Sequence, residues 1–91
     1  MRSSSWFITI HHTDNSDTKD IHLELEDGTG IIDKHQIETA RNIDSGVLLT
    51  VSIFTAVSID EEQFEALRKQ LTVEVNGVPS VIIHQTNTDA I

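Results

Sequence analysis

Five histidines (His11, His12, His22, His35 and His84) and fifteen Asp and Glu are the side chains best equipped to ligate a metal or move a proton in this 91-residue sequence, which has no cysteine and no tyrosine. The pair that chain geometry could assemble is His11 with His22. If "WFITIHH" and "DIHLELEDG" are neighbouring strands, with Ile10 opposite Ile21, Ile8 opposite Leu23 and Trp6 opposite Leu25, both imidazoles share an outer face with Asp20 and Glu24 nearby. Such a cluster has the ligand types for Zn²⁺, but two histidines on an exposed strand supply no closed fourth ligand. A solvated polar face that happens to be rich in His is the better account. The expectation is therefore no metal and no cofactor.

Other chemical motifs fail on particular residues. "GTG" at 28–30 has the look of a dinucleotide loop, yet Asp33 stands at the third glycine position, where a carboxylate would repel a phosphate. "DNSDTKD" has the composition of a calcium loop, but Lys19 replaces the turn glycine and Leu25 the closing glutamate. No nucleophile elbow, zinc-protease helix or P-loop is present. With neither a cysteine nucleophile nor a catalytic motif, an enzyme is not expected.

Charge is the stronger signal. Fifteen acids against six Lys and Arg give a net charge of −9. A chain without a basic stripe cannot displace counterions from phosphates, so direct contact with nucleic acid or with an anionic membrane is disfavoured. The same charge attracts a basic protein surface. The expected function is a small acidic, non-enzymatic binding protein, an inhibitor of the kind phages and mobile elements encode, docking where its target would hold nucleic acid. Its contact residues would be Asp14, Asp17, Asp20, Glu24 and Glu26 on a first hairpin, with Glu61, Glu62 and Glu65 on a helix. The plainer account is that the charge only confers solubility. The alternative from another class is a self-associating structural or assembly subunit.

The elements that must hold these residues read mainly as strands. Trp6, Ile8 and Ile10 alternate on one face, as do Ile21, Leu23 and Leu25. Val47, Leu49, Val51, Ile53, Val57 and Ile59 line one face of a long strand, interrupted by Thr55, where a bulge or bend is expected. "LTVEVNGVPSVIIHQ" reads as a hairpin turning at Asn76-Gly77, with Pro79 opposite Glu74 on an edge strand. Two segments echo one another: "IDKHQIETAR" (32–41) and "IDEEQFEALR" (59–68) share Ile, Asp, Gln, Glu and Arg. Both carry the marks of a helix start, with Asp33 and Asp60 as N-caps, Gln36 and Gln63 closing capping boxes, and Ile32–Ile37 and Ile59–Phe64 as hydrophobic staples. Shared helix-start chemistry, rather than duplicated function, explains the echo.

The expected architecture is α+β in the order β-β-α-β-α-β-β: one mixed or antiparallel sheet of about five strands, with two short helices on one face. Residues 1–91 would form one domain, with 1–5 and 86–91 frayed. Phe7, Leu48 and Phe54 would lie on the uncovered face, forming the interface of a homodimer. No signal-peptide core or membrane span stands out, and a cytoplasmic location is expected.

Overall fold

In the computed structural model, which describes residues 4–14 and 17–88, the chain runs β1 (Ser5–His12), β2 (Leu23–Asp27), β3 (Ile32–Ile43), β4 (Gly46–Thr55), α1 (Glu61–Arg68), β5 (Leu71–Val75), β6 (Val78–Pro79) and β7 (Val81–Asn87). The strands form two antiparallel sheets, one of order β3-β4-β1-β7 and one of order β2-β5-β6. The architecture is thus mostly strand with one helix. It is roughly α+β, but not the single five-stranded sheet with two helices expected from the sequence.

The apolar alternation of β1 and β4 builds the centre. Trp6 pairs with Ile53, Ile8 with Val51 and Ile10 with Leu49, and all six side chains are at most 1% exposed. Fully burying such a side chain contributes about 1.5–3 kcal/mol. This explains why β1 does not pair with β2, as the sequence had suggested: β4 offers β1 a longer apolar face than the two leucines of β2. The expected Ile10–Ile21, Ile8–Leu23 and Trp6–Leu25 pairs are not made. β4 ends at Thr55, where a bend was expected, and the Thr55 hydroxyl donates to the carbonyl of Val57 at 2.6 Å and accepts from the Ser4 N–H at 3.0 Å.

The first expected helix is a strand. β3 forms a hairpin with β4 through Asp44-Ser45, bringing Ile43 opposite Gly46. Gly46 has φ 134°, and a Cβ there would fall 1.9 Å from the His12 carbonyl oxygen. The β3 register shifts between Ile32 and Lys34 and again between Ile37 and Thr39. Each extra residue breaks the two-residue period, so the inward, partly buried positions become Ile32, Ile37 and Ala40. That spacing imitates a helical stripe. Asp33 therefore caps no helix and lies at the first bulge.

The second layer consists of the small sheet and α1. Leu23, Val73 and Val75 from the sheet join Phe64 and Leu67 from the helix in one core with the inner face of β1 and β4. The helix starts as its sequence dictates. Asp60 accepts from the Gln63 N–H at 2.8 Å, and the Gln63 side chain accepts from the Asp60 N–H at 2.8 Å, which closes the capping box. Ile59 and Phe64 are both buried, as a staple requires. The helix ends at Arg68, and Leu71 opens β5.

The β5–β6 hairpin turns at Asn76 (φ 53°) and Gly77 (φ 81°), with Glu74 opposite Pro79 at the sheet edge, as the sequence required. Ser80 then carries the chain from the small sheet to β7, its N–H donating to the Val73 carbonyl at 3.0 Å. β7 runs beside β1, and the Thr88 N–H donates to the Ser5 carbonyl at 2.9 Å. β1 and β7 thus extend into the stretches expected to fray, of which 1–3 and 89–91 lie outside the described residues. Among the described residues no helix is long and apolar enough to cross a membrane.

Candidate functional site

Alternation on the small sheet sends Leu23, Leu25, Val73 and Val75 towards the core and turns Glu24, Glu26, Thr72 and Glu74 outwards. In register, Glu24 stands opposite Glu74 and Glu26 opposite Thr72. Three carboxylates therefore share one face of a sheet whose strands contain no Lys or Arg. Like charges placed directly across a strand pair oppose folding, so this arrangement lowers stability. Among the described residues, the one hydrogen bond to these carboxylates is a surface contact between His22 Nε2 and Glu24, at 3.3 Å. Exposed pairs of this kind contribute little, and the face stays negative.

The acidic residues expected to act together divide into three groups. Glu24 and Glu26 are exposed on β2, joined by Glu74, which the sequence reading had placed only opposite Pro79. Its signal was the alternation of "LTVEV", which puts Glu74 outward. Asp14, Asp17 and Asp20 are exposed in the connection from β1 to β2, where the Asp17 carboxylate accepts from the Lys19 N–H at 3.0 Å. Asn15 and Ser16 of this connection lie outside the described residues. Glu61 and Glu62 occupy the first turn of α1, favourably placed against the positive end of its dipole, and Glu65 is exposed one turn on.

Asp27 ends β2 and has a structural task. Its carboxylate accepts from the Thr29 N–H at 2.9 Å, the Thr29 hydroxyl at 2.6 Å and the Ile32 N–H at 3.0 Å. Burial, the largest single influence, pushes its pKa up. The hydrogen bonds from the Thr29 hydroxyl and from the backbone of Ile32, Thr29 and Ile31 together outweigh it and hold the carboxyl below the ordinary 3.8.

The outer face of the large sheet has a different character. Cross-strand rows run Lys34–Phe54–Ser5, Gln36–Ser52–Phe7–Thr86, Thr39–Thr50–Thr9–His84 and Arg41–Leu48–His11–Val81. Phe7, Leu48 and Phe54 do share this face, but the Thr50–Thr9 rung separates Leu48 from the two phenylalanines. Phe7 is 42% exposed, while Phe54 is half-buried beneath Lys34, whose Nζ lies 5.1 Å from the ring centroid. Glu38 accepts from the Ser52 hydroxyl at 2.9 Å. Val81 and Ile83 are also exposed; the run "VII" at 81–83 was their signal.

The expected histidine pair is not assembled. His11 sits on the large sheet with Nε2 at 3.1 Å from the Ser45 hydroxyl, whereas His22 enters the small sheet. Among the described residues no group of three or more His, Asp and Glu is arranged to hold a metal ion. A pocket of about 250 Å³ lies where the two sheets meet, lined by Arg68, Leu71, Val73, Ser80, Val81 and Ile82. Arg68 is one of its walls, with the guanidinium donating to the Ile82 carbonyl and to Gln85 Oε1 at 3.1 Å.

No family model matches the chain, and neither the curated proteins nor the solved structures include one that matches it.

Proposed function

We propose that this chain is a small acidic binding protein that docks on a basic protein surface through the outer face of its small sheet. One observation carries the reading: Glu24, Glu26 and Glu74 project from one face of a two-layered scaffold, with no Lys or Arg on that sheet. Residues two apart on a strand lie roughly 6–7 Å from one another. Glu24 and Glu26 thus present charge at a spacing a phosphate-reading surface accepts, and occupying that surface would inhibit a nucleic-acid-binding protein. Asp14, Asp17 and Asp20 extend the same negative field along the neighbouring connection, and Glu61, Glu62 and Glu65 supply it from α1.

The test is capture from cell lysate at rising salt, with identification of what is retained. The expected result is a protein with a basic nucleic-acid-binding surface, lost with Glu24→Lys/Glu26→Lys and released as the Debye length falls from about 10 Å to 3 Å. Capture that survives both treatments would sink the reading.

A second reading has its own observation. The outer face of the large sheet exposes Phe7 and Val81, carries the cations Lys34 and Arg41, and among the described residues is covered by no other layer. Those cations offset part of the repulsion between two copies of a chain with charge −9, which favours a homodimer there.

A further inference from the structure

We propose that the free edge of β2 takes up an extended cationic segment of a partner protein as an added strand. This rests on the acidic-docking reading and specifies how the partner is held.

Two sheets have four edges, and three of them carry a bulge, a proline or a two-residue length that hinders further pairing. β3 is broken by two register shifts and carries Lys34, Glu38 and Arg41. β7 has its own register shift, between the pairs Thr9–His84 and Ile10–Ile82, and Arg68 covers the Ile82 carbonyl. β6 is two residues long and contains Pro79. Bulges, proline and short length are the devices by which sheets prevent unwanted pairing. β2 has neither bulge nor proline: Leu23 to Asp27 pair with Val75 to Leu71 in unbroken register. Its one protective device is the charge of Glu24, Glu26 and Asp27, which turns away an acidic strand but not a cationic one.

The unpaired backbone groups of β2 can be named. The His22 carbonyl accepts from the Asn76 N–H at 2.8 Å, and the His22 N–H donates to Asn76 Oδ1 at 2.8 Å. His22 therefore turns its backbone towards β5, and by alternation so do Glu24 and Glu26. Leu23 and Leu25 turn their N–H and C=O groups to the free edge. The opposite strand agrees, because Val73 accepts from Ser80 on the far side, which leaves Glu74 facing β2.

Side chains decide which strand is admitted. Glu24 and Glu26 flank the edge on its outer side, so a second copy of β2 would be repelled and a row of Lys or Arg attracted. On the inner side Ile21 and Leu25 are only partly buried against the core, which suits aliphatic residues in the intervening positions. The geometry points to a guest of about five residues, alternating cationic and aliphatic, laid down by strand addition.

The probe is a synthetic peptide of alternating Lys and Val, compared with the same peptide carrying a central Pro, each titrated into the full chain at low salt. The expected result is at least about tenfold weaker binding of the Pro peptide, and at least about tenfold slower hydrogen exchange at the Leu23 and Leu25 amides with the first peptide. Leu25→Pro, which removes an edge-facing N–H, should weaken binding of the first peptide by a similar factor. The peptide control holds even if that variant disturbs packing. Equal, salt-sensitive binding of both peptides without protection of the two amides overturns strand addition and leaves acidic docking standing. Failure of both peptides to bind overturns both.

Discussion

Trp6 of β1 and Phe64 of α1 stack with ring centroids 4.3 Å apart and planes inclined by 18°, joining the central strand to the sole helix among the described residues. Both rings are at most 1% exposed. Phe64→Ala should cost about 3–5 kcal/mol, the usual price of an aromatic core truncation. Trp6 is the only tryptophan, so its fluorescence in urea unfolding reports the loss directly. A loss below about 1 kcal/mol would mean that the helix is not docked here.

The two echoing aspartates should behave differently. Asp60→Ala removes a capping box and should cost roughly 0.5–2 kcal/mol in chemical denaturation. Asp33→Ala, at an exposed bulge of β3, should fall within about 0.5 kcal/mol of the parent. Comparable losses at both positions would argue that residues 32–41 are helical after all.

Asp27 should contribute to the acid limb of stability. Its pKa is depressed in the folded chain, so its contribution is fully present above the unfolded carboxylate pKa and is lost as pH falls through the folded value. Asp27→Asn should therefore be less stable than the parent at neutral pH, and the gap should narrow below about pH 4. Denaturation series at several pH values test this, and a gap that widens on acidification would contradict it.

Self-association through the large sheet should depend on Phe7. Sedimentation at high concentration should show a dimer, and Phe7→Asp should return it to monomer. At dilutions where the parent too is monomeric, the two stabilities should agree within about 0.5 kcal/mol. A clean monomer in the parent removes the homodimer reading.

Where a local device sufficed, the fold was legible in the sequence. The Asn76-Gly77 turn, the Pro79 edge and the Asp60–Gln63 cap each depend on neighbours within a few residues. The inner face of β4 was legible too, because its alternation is undisturbed up to Thr55. β3 was not, because its bulges moved the apolar residues to a helix-like spacing. The difference from the true helix was nevertheless written in the segment. Lys34-His35 stand where Glu61-Glu62 complement a helix N-terminus, and Ile37 and Thr39 are β-branched where Phe64 and Ala66 are not. The partition into two sheets was hidden because any apolar-faced strand can satisfy any other locally. For the candidate site, the outward direction of Glu24 and Glu26 needed only alternation, while the addition of Glu74 needed the β2–β5 pairing.

The position of β1 between β4 and β7 also bears on the order in which the chain can fold. Both neighbours of β1 lie far along the sequence, and the last contact, Thr88 to Ser5, joins the two ends of the described chain. Closing such long loops costs entropy before any burial offsets it, so folding should take milliseconds to seconds rather than microseconds. The β3–β4 and β5–β6 hairpins are local and can form early. Weakening Ile82, which pairs with Ile10 across the late-closing seam, should then speed unfolding and leave refolding almost unchanged. In stopped-flow traces of Ile82→Val, a slowed refolding arm would instead place that seam in the nucleus.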